Sequence, residues 1–109
     1  MPSDLRPGTC RACEGGVALL REAEIVAALR DLPEWVWQEQ GLERRFQFRN
    51  FYETMAFVNA LAWIAHREDH HPDLQVSYNT CLVRYSTHAV GGVTENDLIC
   101  ARAVMNLLT

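Results

Sequence analysis

Apolar and polar positions change period several times along this chain, and each change marks an element. Residues 19–32 place Leu19, Leu20, Ala23, Val26, Ala27, Leu29 and Leu32 at helical intervals. Pro33 ends that helix, because the residue before a proline avoids the α region. Residues 34–39 and 42–49 then alternate, the first only roughly. The second puts Leu42, Arg44, Phe46 and Phe48 on one side and Glu43, Arg45 and Gln47 on the other. With Gln40-Gly41 as the turn signal between them, the two segments read as a β-hairpin. Asn50, with Glu53 behind it, resembles a capping box and predicts a helix over 51–68. Its core face reads as Phe51, Met55, Val58, Leu61, Ala62 and Ala65, widened by Phe57 and Ile64. Pro72 requires that helix to stop near Asp69.

Alternation returns over 75–79 and 81–86, predicting two more strands, and Gly91-Gly92 reads as a loop. Thr94 is a candidate N-cap with Asp97 three residues behind it. The final helix spans about 95–108, with Leu98, Ile99, Ala101, Val104, Met105 and Leu108 apolar. The order α-β-β-α-β-β-α implies an α+β domain: a four-stranded antiparallel sheet with the helices packed on one face.

Composition narrows this without changing it. At 109 residues the chain is one domain, and 49% hydrophobic content is ordinary for a globular protein. Pro2, Pro7, Gly8, Gly15 and Gly16 mark residues 1–18 as a mobile tail before a folded unit at 19–109. A net charge of −4 argues against nucleic acid as the main partner. No apolar run is long enough for a membrane span and no signal-peptide pattern opens the chain, so a cytoplasmic protein with reduced cysteines is expected. Cys10 and Cys13 form a C-x-x-C pair, but no second pair completes a structural zinc site and no βαβ pattern surrounds it. We therefore expect no metal.

All four histidines fall between His66 and His88. Histidine is the side chain whose ordinary charge change lies nearest neutral pH, so such a cluster suits proton transfer. His70-His71 lies at the predicted helix C-terminus, where the dipole favours a protonated imidazole. Asp97 could orient an imidazole while also serving as a helix cap. Two rival readings come from other classes. His66 and His70, four apart on a helix, could begin a metal site, but Arg67, Glu68 and Asp69 between them do not make H-E-x-x-H. The other rival is a binding module.

The spacing of this stretch resembles the signature of the pterin-4a-carbinolamine dehydratases. An ionisable residue, His66, is followed after three positions by His70-His71-Pro72, after five more by Tyr78, after nine by His88, and after eight by Asp97. Tyr78-Asn79, Ser86-Thr87-His88 and Gly92-Val93-Thr94 also agree. His66 stands where the animal members usually carry Glu, and Leu74 where they often carry Trp.

The resemblance implies the same architecture over 20–108 and assembly into dimers or tetramers. It implies dehydration of a 4a-hydroxytetrahydropterin to quinonoid dihydropterin, in support of a pterin-dependent aromatic amino-acid hydroxylase. The pterin is then the substrate, and no cofactor is needed. By the same carry-over the catalytic set is His70, His71, His88 and Asp97, with His70 and His88 as acid–base residues and His71 chiefly binding substrate. Ser86 and Thr87 would offer backbone groups to the amide-like edge of the pterin, while Asp69, Trp35 and His66 would edge the pocket. The alternative is a non-catalytic pterin-binding or protein-partner module of the same fold.

Overall fold

The structure is a computed structural model that describes residues 17–108. The expected tail and the Cys10–Cys13 pair lie outside the described residues, apart from Val17 and Ala18. Four strands, β1 (Val36–Gln38), β2 (Gly41–Gln47), β3 (Asp73–Val76) and β4 (Thr80–Tyr85), form one sheet in the order β1-β2-β4-β3. Every neighbouring pair is antiparallel. In the central pair Leu42 faces Tyr85 and Phe46 faces Cys81. These residues and Val83 share one side of the sheet, as a period of two requires, and all are buried.

Helices α1 (Glu22–Leu29), α2 (Phe51–Glu68) and α3 (Glu95–Asn106) cover that side. Ile25, Phe57, Leu61, Ile64, Leu98, Ala101 and Val104 join the sheet residues in one core. The opposite side carries Glu43, Arg45, Gln75 and Arg84. The α+β architecture and element order are those expected from the pattern.

Several details differ, each for a physical reason. The β1–β2 turn is Glu39-Gln40, both left-handed (φ 48° and 65°), as a two-residue type I′ hairpin demands. Gly41 is the first residue of β2, and a Cβ there would lie 2.6 Å from the Arg84 guanidinium. Arg84 holds the turn by donating to Gln38 O at 3.0 Å, to Glu39 O and to Glu43 Oε1 at 3.1 Å.

Helix α1 begins at Glu22 and buries Ile25, leaving Ala23, Val26 and Ala27 exposed. Helix α2 buries Thr54, Phe57, Leu61, Ile64 and Glu68, whereas Phe51 and Ala62 are exposed and Met55 and Val58 only half-buried. It is apolar on two sides, so periodicity alone does not choose the core face. The aromatic contacts do: Phe57 lies 4.8 Å from Phe46 and 5.0 Å from Phe48, ring centre to ring centre.

Strand β3 starts at Asp73 and ends at Val76, so Tyr78 sits exposed in the turn to β4. That turn is tied down by Phe48 N–H donating to Asn79 O at 2.7 Å and Thr54 Oγ1 donating to Tyr78 O at 3.0 Å.

Candidate active site

Two chain reversals and one helix start build the site. The first ends α2. Asp69 adopts the left-handed conformation (φ 53°, ψ 43°), which aspartate tolerates better than most residues. Its N–H donates to His66 O at 3.3 Å, and His70 N–H donates to Ala65 O at 3.1 Å. This is the Schellman arrangement of bonds, and Pro72 follows it closely. The reversal leaves His70 buried and His71 exposed.

The second reversal follows β4. Tyr85 is its last buried residue, and Ser86 and Thr87 leave the sheet. Thr87 N–H then donates to Gly92 O at 2.8 Å, closing a loop that contains a single 3-10 turn, His88–Val90. Gly91 completes it at φ 72°, a conformation that favours glycine. His88 stands exposed on this loop. The third feature is the start of α3. Thr94 is the N-cap, its Oγ1 accepting from Asn96 N–H at 3.2 Å, and Thr94 N–H donates to Asp97 Oδ2 at 2.9 Å.

These segments meet at His70. Its Nε2 lies 2.7 Å from Asp97 Oδ1. Thr87 Oγ1 donates to Asp97 Oδ2 at 2.8 Å and lies 2.7 Å from Thr94 Oγ1. Asp97 is completely buried and His70 only 7% exposed. One flat side of the imidazole stacks on Tyr85, with ring centres 5.9 Å apart and planes 9° apart. Beside this group lies an open cleft of about 200 Å³ lined by Asp69, His70, His71, Ser86, Thr87, His88 and Ala89. Imidazoles in a partly open cleft, one backed by a buried carboxylate, can exchange protons with a small polar ligand.

Most of the expected site residues converge here. Asp97 touches the cleft through His70 and Thr87, and it caps α3 as well. Trp35 and His66 are placed elsewhere. Trp35 is buried in the core, stacked against Tyr85 at 6.3 Å, and so reaches His70 only through that ring. His66 is exposed, with its ring 5.9 Å from Trp63. It therefore does not converge with His70, and among the described residues no three His, Cys, Asp or Glu side chains are grouped to hold a metal ion.

Thr87 contributes differently from expectation. Its backbone N–H and O are engaged inside the loop, with Gly91 N–H donating to Thr87 O at 3.0 Å, and its hydroxyl faces Asp97. Two contributors were missed in the sequence. Tyr85 was legible, being in phase with Cys81 and Val83 just before the Ser-Thr-His segment. The Thr94 hydroxyl, beyond its N-cap role, left no signal, because its meeting with Thr87 depends on the loop closure.

Fold and cleft first define a class: an α-β-β-α-β-β-α protein with a histidine-lined cleft where α2 ends and β4 leaves the sheet. The family model described as pterin 4 alpha carbinolamine dehydratase matches residues 18–107. The chain is 50% identical over 104 residues to a protein of Nitrosospira multiformis provisionally named pterin-4-alpha-carbinolamine dehydratase, covering 95% of this chain and 92% of that one. It is 52% identical over 106 residues to a protein of the same provisional name from Nitrosomonas eutropha, covering 96% and 94%. A crystal structure from Brucella melitensis, titled a transcriptional coactivator/pterin dehydratase, superposes with a TM-score of 0.81 at 33% identity, covering 84% of this chain and 100% of that one. The chain belongs to the pterin-4a-carbinolamine dehydratase family and is a hydro-lyase.

Proposed function

We propose that the chain dehydrates a 4a-hydroxytetrahydropterin to quinonoid dihydropterin by histidine acid–base catalysis, as a step in pterin cofactor recycling. The observation that carries this reading is the gathering of His70, His71 and His88 from two separate segments around one cleft. The C4a hydroxyl leaves poorly until it is protonated, so an imidazolium donates a proton as the C4a–O bond breaks and water departs. The N5–H proton passes to a neutral imidazole as the C4a–N5 double bond forms. The elimination is redox-neutral, and the two imidazoles regain their starting states by exchange with solvent. General acid–base help of this kind is worth roughly 10²–10⁴-fold.

His70 and His88 are the acid–base pair in this reading, His71 chiefly binds the pterin, and Asp97 orients His70. Asp69 and Ser86 edge the bound ring. Homo-dimer or tetramer formation belongs to the same proposal, supported by Tyr52 and Trp63, which expose 82% and 62% of their surface on α2 away from the core. A cytoplasmic location and a functional link to an aromatic amino-acid hydroxylase complete it. Among the described residues no helix is long and apolar enough to cross a membrane.

The test is the initial rate of dehydration of a synthetic 4a-hydroxytetrahydropterin, with and without a chelator. Chelator-insensitive turnover is expected, and no acceleration over buffer would overturn the proposal. The Brucella structure's title also names a coactivator, which favours one second reading, a non-catalytic pterin-binding or protein-partner module of this fold. Pterin binding without turnover would select it.

A further inference from the structure

Counting protons fixes the direction of every hydrogen bond behind His70. Thr87 has one hydroxyl proton and two oxygens within reach, Asp97 Oδ2 at 2.8 Å and Thr94 Oγ1 at 2.7 Å. An ionised carboxylate can only accept, so the Thr87 proton goes to Asp97. The bond between the two threonines must then take its proton from Thr94. Thr94 Oγ1 has an acceptor site left over, and Asn96 N–H fills it at 3.2 Å. The result is a one-way chain from Asn96 N–H through Thr94 and Thr87 to Asp97 Oδ2. Thr94 N–H donates to the same oxygen at 2.9 Å. Oδ2 thus holds two donors, which fixes the carboxylate plane and points Oδ1 at His70 Nε2, 2.7 Å away. Tyr85 keeps the imidazole from tilting.

We infer that the hydroxyls of Thr87 and Thr94 are positioning residues that hold the His70 proton on Nε2 and so leave Nδ1 as the nitrogen that exchanges protons with substrate. This rests on the proposed dehydration for its kinetic consequence, but not for its geometry. A histidine's working nitrogen is set by the bond its other nitrogen makes. Here that bond is itself set by the two threonines.

The test compares Thr87→Val, which keeps the side-chain shape, with Thr87→Ser, which keeps the hydroxyl. In wild type, imidazole ¹⁵N spectra should show a low-field, slowly exchanging proton on His70 Nε2. Thr87→Val should lose that signal and lower kcat by roughly 10- to 100-fold, the range that one hydrogen bond to a charged group commands. KM should stay near wild type, and Thr87→Ser should restore both signal and kcat. A folded Thr87→Val with the resonance and kcat intact and only a lower Tm would make the hydroxyl merely structural and overturn the inference. Should Thr87→Val fail to fold, the wild-type spectrum still decides: a neutral His70 ring with its proton on Nδ1 and none on Nε2 refutes the assignment. Absence of pterin turnover by wild type would instead defeat the proposed function, leaving the spectra to judge the relay separately.

Discussion

His70 Nε2 and Asp97 Oδ1 lie 2.7 Å apart although 27 residues separate them in sequence. The pair links the C-terminal end of α2 to the first turn of α3, and neither side chain exposes more than 7% of its surface. The same carboxylate also takes the Thr94 N–H that caps α3. Orientation of the imidazole and capping of the helix are therefore one structural act.

Asp97→Asn should accordingly lose activity and stability together. The amide presents a donor where the site supplies only donors. We expect kcat to fall roughly 10²-fold or more and unfolding free energy to fall by about 1–3 kcal/mol, as for other disrupted buried hydrogen bonds. Steady-state kinetics beside urea melts measure both. Lost stability with unchanged kcat would reduce Asp97 to a cap.

His70→Ala and His88→Ala should each lower kcat, and the double variant should approach the uncatalysed rate. His71→Ala should act mostly on KM, because it removes binding common to ground and transition states. The two faces of C4a can be served by different histidines, so the assay needs resolved 4a epimers. A double variant that dehydrates both epimers at the wild-type rate would rule out the mechanism.

His66 sits against Trp63 outside the cleft lining. His66→Ala should therefore cost less in kcat/KM than His70→Ala. Equal losses would show that position 66 enters the cleft when substrate binds.

The two sides of α2 should respond differently to truncation. Phe57→Ala removes a ring packed against Phe46 and Phe48 and should cost about 3–5 kcal/mol. Tyr52→Ala, on the exposed side, should change protomer unfolding by no more than about 0.5 kcal/mol. Its expected effect is weaker self-association, read by analytical ultracentrifugation. Unchanged association in both Tyr52→Ala and Trp63→Ala would remove this side of α2 from the assembly.

Burial pushes the Cys81 thiol above its ordinary range. The folded state thus favours the neutral thiol, a contribution intact at pH 7 that declines as pH rises past the free-thiol range of about 8.5. Iodoacetamide labelling of native protein near that pH, mapped by peptide, should leave Cys81 unmodified. Rapid native-state modification would contradict its burial.

What the sequence determined by itself was local or carried by spacing. Asn50 and Pro72 bound α2 because an N-cap and a proline act through their immediate neighbours. Alternation over Leu42 to Phe46 and Cys81 to Tyr85 identified the central strands and their buried side. Thr94 and Asp97 announced the start of α3. The spacing of His66, His70, His71, Tyr78, His88 and Asp97 carried the family resemblance.

Tertiary structure alone decided which side of α2 is core. That helix is apolar on both sides, and only the rings of Phe46 and Phe48 select Phe57 over Phe51. It also separated His66 from His70 by turning the chain at Asp69, a backbone reversal that helical spacing does not reveal. It redirected Thr87, whose backbone is taken up by the loop to Gly92 so that its hydroxyl meets Asp97. Contacts of this last kind join groups brought together by loop closure and strand order, and no local pattern records them.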